Sequence, residues 1–310
     1  MTRISDEGRL RELLEPDGGE FSEIPSGTLN YSLTGEARNG TVLLIAGLSM
    51  QRTDWSPELI AGLHEAGYAT LAADNRDAGR SRMNDSIPTD YSLADMATDL
   101  RDLLETLDPN AAHTNPGPVH VVGMSMGGML AQHLAMLAPE RVRSLTSLMS
   151  TTGAREVGRP EQASKWVFLT PAPTDSRDAY LAYAQRYHEA LAGPFFADPE
   201  RARQTAEMAW DRGLSPAGTA RQLAAIQSDG DRTERLRALR VPTLVAHGDA
   251  DPLIGISGGV ATAAAIPGAS MYAIPGMGHT VPWQRAAELT ARLVAHFAAA
   301  AASVDRAHGR

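Results

Sequence analysis

Residues 119–128, Val-His-Val-Val-Gly-Met-Ser-Met-Gly-Gly, constrain the fold of this chain more than any other stretch. An apolar, β-branched run leads into Gly123-x-Ser125-x-Gly127. The residues that follow, Met129, Leu130, His133, Leu134 and Leu137, fall on one face of a helix. This pattern is the sequence form of a nucleophile elbow, a tight strand-to-helix turn with a serine at its apex. The turn needs small neighbours, which Gly123 and Gly127 supply. The helix that starts at Met126 then aims unpaired N–H groups and its positive dipole end at the serine hydroxyl.

The rest of the chain supplies the sheet that such a turn requires. Two short antiparallel strands are expected within 21–34, turning at Ser26-Gly27. Thr41–Gly47 is a continuous apolar run, the profile of a central strand covered on both faces. A helix over 56–66, a strand over 69–73 and a helix over 93–107 that stops near Pro109 come next, then the elbow and a strand over 142–149. Alternation of this kind means a mostly parallel sheet with right-handed crossovers and helices on both faces.

From 151 to 239 no β-run occurs, and helical segments (179–191, 199–211, 215–226) replace it. They are expected to form a helical lid inserted after the sixth strand. Strands then resume at 242–248 and 270–274 around a helix over 258–265, and a last helix covers 283–299, giving an eight-stranded sheet. The expected organisation is an N-terminal arm (1–19), acidic, helical and free to move, with no functional content. A core (20–150 and 240–300), the lid (151–239) and a frayed tail (301–310) complete it.

In open parallel sheets, sites form beyond the carboxyl ends of strands. Three such ends carry Ser125, the pair Asp249 and Asp251, and His279 within Pro275-Gly-Met-Gly-His279. A serine hydroxyl becomes a nucleophile at neutral pH when an imidazole takes its proton, and a carboxylate must hold that imidazole in one tautomer. His279, in a glycine-flanked loop free to swing toward Ser125, suits the base. His64, His120, His133 and His296 end or lie within regular elements and read as structural. Asp251, farther into its loop, is favoured as the acid, with Asp249 bracing the loop. Backbone N–H groups of Leu48, just after the strand ending at Gly47, and of Met126 are the expected oxyanion donors. Met50, Met124, Met126 and Met129 gather near the site, and Tyr180, Tyr183 and Tyr187 share one face of a lid helix. An apolar pocket follows.

Composition removes other classes. The net charge of −9, with a single lysine (Lys165) and scattered arginines, disfavours nucleic acid and anionic membranes as partners. With no cysteine there is no thiolate nucleophile, disulfide or thiolate metal site. The first 23 residues lack an apolar signal core and no stretch reaches membrane-spanning length, so a cytoplasmic location is expected. No cofactor or metal is called for, and the expected partner is a small-molecule ester.

The motifs Gly123–Gly128, Gly248-Asp-Ala-Asp-Pro252 and Pro275–His279, in the order Ser, Asp, His, resemble those of the α/β-hydrolase superfamily. The resemblance implies an α/β-hydrolase fold and, because the acid of Gly-x-x-Asp-Pro in that family is the last aspartate, supports Asp251. Within the superfamily, Asp74–Ser81 and Ile274–His279 are similar to the aclacinomycin methylesterase group of polyketide tailoring enzymes. The chain departs from the usual His-Gly or Gly-Gly at Ala46-Gly47-Leu48, which gives the pocket a bulkier lining. Asp74, Arg76, Asp77, Gly79 and Ser81 read as loop bracing beside the site. The resemblance implies a serine hydrolase of the carboxylesterase or methylesterase type. Lactonase, aminopeptidase, thioesterase and perhydrolase chemistry use the same residues, and a non-catalytic ligand-binding protein is the alternative of a different class. Asp175, Asp178, Glu189 and Glu207, which an aminopeptidase would need, are spaced like solvated helix faces.

Overall fold

The computed structural model describes residues 2–107 and 117–307. The expected helix stop near Pro109 and residues 308–310 of the expected tail lie outside them. In chain order the elements are α1 (Glu7–Leu14), β1 (Glu20–Ile24), β2 (Gly27–Thr34), β3 (Thr41–Ile45), α2 (Pro57–Glu65), β4 (Ala69–Ala73), β5 (Arg82–Met83), α3 (Leu93–Thr106), β6 (Val119–Met124) and α4 (Met126–Leu137). There follow β7 (Val142–Leu148), α5 (Trp166–Leu169), α6 (Arg177–Leu191), α7 (Pro199–Arg212), α8 (Pro216–Asp229), α9 (Thr233–Leu236), β8 (Thr243–Gly248), α10 (Ser257–Ala265), β9 (Ser270–Ile274) and α11 (Trp283–Ala307).

The sheet has nine strands, ordered β1-β2-β4-β3-β6-β7-β8-β9 with β5 paired to β2. The expected eight omitted β5. At two residues, Arg82 and Met83, it is too short to show alternation and is defined only by its pairing with Gly27 and Thr28. Every pairing from β4 through β9 is parallel, while β1, β2 and β5 add an antiparallel edge. Strand β3 is buried at all five positions, as its unbroken Thr-Val-Leu-Leu-Ile run requires for a strand covered on both faces. Each of its large aliphatic side chains contributes roughly 1.5–3 kcal/mol by leaving water.

Two apolar layers flank the sheet. One packs α3 and α4 on Leu43, Ile45, Val119 and Val121; the other packs α2 and α11 on Val42, Leu44 and Val122. The alternation of neighbours along β3 and β6 between these layers follows from the two-residue period of a strand. The N-terminal arm is docked: Leu10, Leu13 and Leu14 of α1 are buried, and Glu15 pairs with Arg52, Arg80 and Arg212. An acidic composition suggested a loose arm, but three apolar residues on one face of α1 supply a reason to pack. Helix α11 runs to Ala307, eight residues past the expected end at 299, because an alanine-rich run is a strong helix former. Helices α5–α9 all lie between β7 and β8 in the chain. Among the described residues no helix is long and apolar enough to cross a membrane.

Candidate active site

Ser125 joins β6 to α4 with φ +56° and ψ −122°, a conformation that side-chain-bearing residues rarely adopt and that costs about 1–3 kcal/mol. Close packing around it explains the flanking glycines. A Cβ on Gly123 would lie 2.0 Å from the Gly127 carbonyl oxygen, and one on Gly127 would lie 2.1 Å from that of Ile45. The turn is pinned from both sides: the Ser125 N–H donates to the Leu148 carbonyl (3.0 Å), and the Ser125 carbonyl accepts from Gly128 N–H (2.9 Å) and the Ser150 hydroxyl (2.8 Å).

The three sequence candidates come together in one hydrogen-bonded chain. His279 Nδ1 lies 2.7 Å from Asp251 Oδ2, and His279 Nε2 lies 2.9 Å from Ser125 Oγ. A carboxylate only accepts, so Nδ1 carries the imidazole proton and Nε2 is left to accept from the serine hydroxyl. Asp251 is 5 % exposed and His279 9 %. Asp251 is the better placed of the two aspartates, since Asp249 Oδ1 instead accepts from the Gly276 N–H (2.6 Å) and braces the neighbouring loop.

Burial alone would raise the Asp251 carboxyl, but the facing imidazoles of His279 and His247, with the hydrogen bond that His279 donates, hold it well below the usual carboxylate range. Leu253 and Ile254 N–H groups both donate to its other oxygen at 2.9 Å. The second imidazole was not anticipated. His247 is fully buried at the end of β8, its Nε2 donating to the Ile254 carbonyl (2.7 Å) and standing 3.4 Å from Asp251 Oδ2. Its place four residues before Asp251, at the carboxyl end of a strand, was the available signal.

The expectation that His279 swings freely is corrected. Its N–H donates to the Leu191 carbonyl (2.6 Å) and Gly278 N–H to that of Ala192 (3.3 Å), so the end of α6 holds the loop. The backbones approach so closely that a Cβ on Gly278 would lie 2.1 Å from the Leu191 carbonyl oxygen.

Leu48 follows β3 in a turn closed by Met50 N–H donating to the Gly47 carbonyl (3.2 Å). Gly47 packs on the elbow, since a Cβ there would lie 3.2 Å from Ser125 Cβ. Met126, as the first residue of α4, presents an N–H with no acceptor inside its own helix. Met126 thus adjoins Ser125 in the chain, and Leu48 follows the glycine that packs on Ser125.

Above these residues lies a cavity of about 600 Å³ between the strand ends and α5–α8. Met50, Met124, Met126 and Met129 line its floor, and Tyr180, Tyr183 and Tyr187 its roof, while Asp175, Asp178, Glu189 and Glu207 do not line it. Burial pushes the Tyr180 and Tyr187 hydroxyls up, so both stay neutral donors. Asp54, also in the wall, was not anticipated; burial pushes its carboxyl up to about 6, against the stabilising N–H of Gln51. The Asp74–Ser81 cluster is tied up in ion pairs: Arg76 with Asp99 and Asp74 with Arg212 on α7, both buried, and Asp77, at the cavity wall, with Arg221 on α8. Among the described residues no group of three or more His, Asp or Glu is arranged to hold a metal.

The family model described as alpha/beta hydrolase fold matches residues 40–286, a span that includes Ser125, Asp251 and His279. The chain belongs to this family. It is similar to rhodomycin D methylesterase DauP of Streptomyces sp. (strain C5), 28 % identical over 289 residues that cover 86 % of this chain and 93 % of that protein. It is also similar to the bifunctional esterase/perhydrolase DCH of Acinetobacter calcoaceticus, 24 % identical over 80 % of this chain and 88 % of that protein. A thermophilic esterase from Thermogutta terrifontis superposes with a TM-score of 0.69 at 22 % identity, covering 91 % of this chain and 99 % of the other, which establishes the shared α/β-hydrolase fold.

Proposed function

We propose that this α/β hydrolase is a serine esterase that cleaves carboxylic esters of fairly apolar small molecules, methyl esters among them, through an acyl-enzyme on Ser125. The observation that carries the reading is the unbroken Asp251–His279–Ser125 chain at the floor of an apolar cavity. The methylesterase named among its relatives supports the ester bond as the target.

In this reading His279 Nε2 takes the hydroxyl proton as Ser125 Oγ bonds to the ester carbonyl carbon. The Leu48 and Met126 N–H groups stabilise the oxyanion, each worth roughly 3 kcal/mol. His279 then returns the proton to the departing alkoxide as the C–O bond breaks, and the alcohol leaves. Water, deprotonated by the same imidazole, releases the acid and restores the serine. Ionised Asp251 holds the Nδ1–H tautomer and stabilises the imidazolium. Residues 151–239 serve as the lid, and residues 20–150 and 240–300 as the catalytic core.

The methionine floor and tyrosine roof favour uncharged acyl and alcohol groups, because a charged one loses its hydration against them and, Asp54 apart, the charged carboxylates and guanidinium in the wall are already paired, Glu58 with Arg201, Asp198 with Arg3 and Asp77 with Arg221. A panel of p-nitrophenyl and methyl esters of graded polarity tests this. Medium-chain and aromatic esters are expected to be turned over fastest, with no turnover by Ser125→Ala. Preference for charged acyl groups would overturn the substrate class.

A further inference from the structure

Asp54 is the one carboxylate of the cavity wall without a guanidinium partner among the described residues; Glu58, Asp77 and Asp198 each have one. The arginine whose charge bears on it, Arg212, is spent on Glu15, Asp74, Asn30 and Gln51. Asp54 ends the turn Arg52–Asp54, where its Oδ2 accepts from the Gln51 N–H at 2.6 Å. The Gln51 side-chain amide in turn donates to the Ala209 and Gly213 carbonyls around the end of α7 (3.1 and 2.9 Å), which holds the turn in place. Asp54 Oδ1 has no hydrogen-bond partner among the described residues, yet it keeps accessible surface. Asp54 lines the cavity, and burial pushes its carboxyl up to about 6, as expected where protein and not bulk water surrounds it.

Tyr180 and Tyr187 of α6 line the same cavity, close enough for the Asp54 charge to raise both hydroxyls further. Neither hydroxyl has a hydrogen-bond partner among the described residues. The cavity thus carries a fixed anionic acceptor and two neutral donors, all three unmet. A hydroxyl suits them, since it donates through its proton and accepts through its lone pairs. An ammonium only donates, leaves the tyrosine protons unmet and gives up the hydration of a full charge. A carboxylate or phosphate is repelled by Asp54.

We propose that Asp54 is a specificity-determining residue and that, on the esterase reading above, the substrate is an uncharged ester whose acyl or alcohol group carries a hydroxyl that donates to Asp54 Oδ1. Tyr180 or Tyr187 donates to the same hydroxyl oxygen. Asp54 takes no part in the chemistry at Ser125.

Methyl esters of ω-hydroxy acids, and hydroxyalkyl esters of unsubstituted acids, are compared at graded chain lengths with isosteres that carry a methyl group in place of the hydroxyl. In wild type, kcat/KM for the hydroxylated ester should exceed that of its isostere by about tenfold to a hundredfold at the length that reaches Asp54, the range of a hydrogen bond to a charged group. Asp54→Leu should reverse the preference, because the hydroxyl then loses its hydration against an apolar side chain. Asp54→Asn, which keeps a neutral acceptor, should retain only a weak preference, and Tyr180→Phe combined with Tyr187→Phe should lower the wild-type ratio about threefold. Each ratio is taken within one protein, so a general loss of activity or of folded material cancels. Should Asp54→Leu fail to fold, Asp54→Asn decides, and a wild-type ratio there overturns the proposal. No hydroxyl preference at any length, a preference that survives undiminished in Asp54→Leu, or faster turnover of the matching ammonium ester than of the hydroxylated one overturns it too. Wild-type turnover of the isosteres and fluorophosphonate labelling of Ser125 run alongside: their absence overturns the esterase reading itself, while their presence without a hydroxyl preference overturns this role alone.

Discussion

The floor and the roof of the cavity are held in place by different physics. On the floor, Ser125 is set by backbone sterics: a strained φ, two glycines pressed against carbonyls, and a main-chain hydrogen bond to Leu148 of β7. On the roof side, position depends on polar side chains reaching across long sequence separations, such as Gln222 to Ser49, Gln51 to the Ala209 and Gly213 carbonyls, and Arg221 to Asp77. Backbone sterics tolerate almost no substitution at a few positions. Side-chain bridges spread the task over many residues, so each single loss is smaller and graded.

Substitutions on the floor and in the wall separate the two. The largest effects belong to the floor: Ser125→Ala and His279→Ala should each lower kcat about 10⁶-fold in steady-state assays, with folding intact by circular dichroism. Next, Asp251→Asn is expected to cost on the order of 10⁴ in kcat, by analogy with loss of the correct tautomer, whereas Asp249→Asn stays within about threefold. Equal losses at the two aspartates would erase the distinction between relay and brace. Third, Gly127→Ala should destabilise the fold by about 3 kcal/mol in urea titration, because its methyl has nowhere to go.

The smallest expected effect lies in the cavity wall. The Asp54 carboxyl is pushed up to about 6 in the folded chain, so between about pH 4 and 6 the folded state keeps a proton that the unfolded chain has released. Stability therefore falls as pH rises through that window, and the full penalty is present at pH 7. Allowing for partial solvent access, it is about 1–2 kcal/mol. Asp54→Asn should remove this fall, melting higher than wild type at pH 7 and like it at pH 4. Parallel pH profiles for the two proteins would contradict the assignment.

The floor was legible in the sequence, and so were the helices and tyrosines of the roof; the side chains that hold the roof in place were not, for the same physical reason. Gly123-x-Ser125-x-Gly127 and the loops at 248–252 and 275–279 are local patterns whose sterics and chemistry act within a few residues. The parallel core was legible from unbroken apolar runs such as 41–47, and its family membership follows from the same segments. Gln222 pairs with a residue 173 positions away, and nothing near it in the chain marks its partner. Strand β5 and the docking of α1 likewise exist only through tertiary partners, Gly27 and Thr28 in one case and the buried face of α2 in the other. The loop of His279 read as free because its glycines are local, while the Leu191 carbonyl that restrains it belongs to α6.

The central claim is that Ser125 is a nucleophile activated by His279. Intact-mass and peptide mass spectrometry after exposure to a fluorophosphonate tests it most directly. One adduct per chain is expected, on the peptide containing Ser125, absent in Ser125→Ala and formed far more slowly in His279→Ala. An unlabelled wild type, or ester turnover that survives in Ser125→Ala, would contradict it.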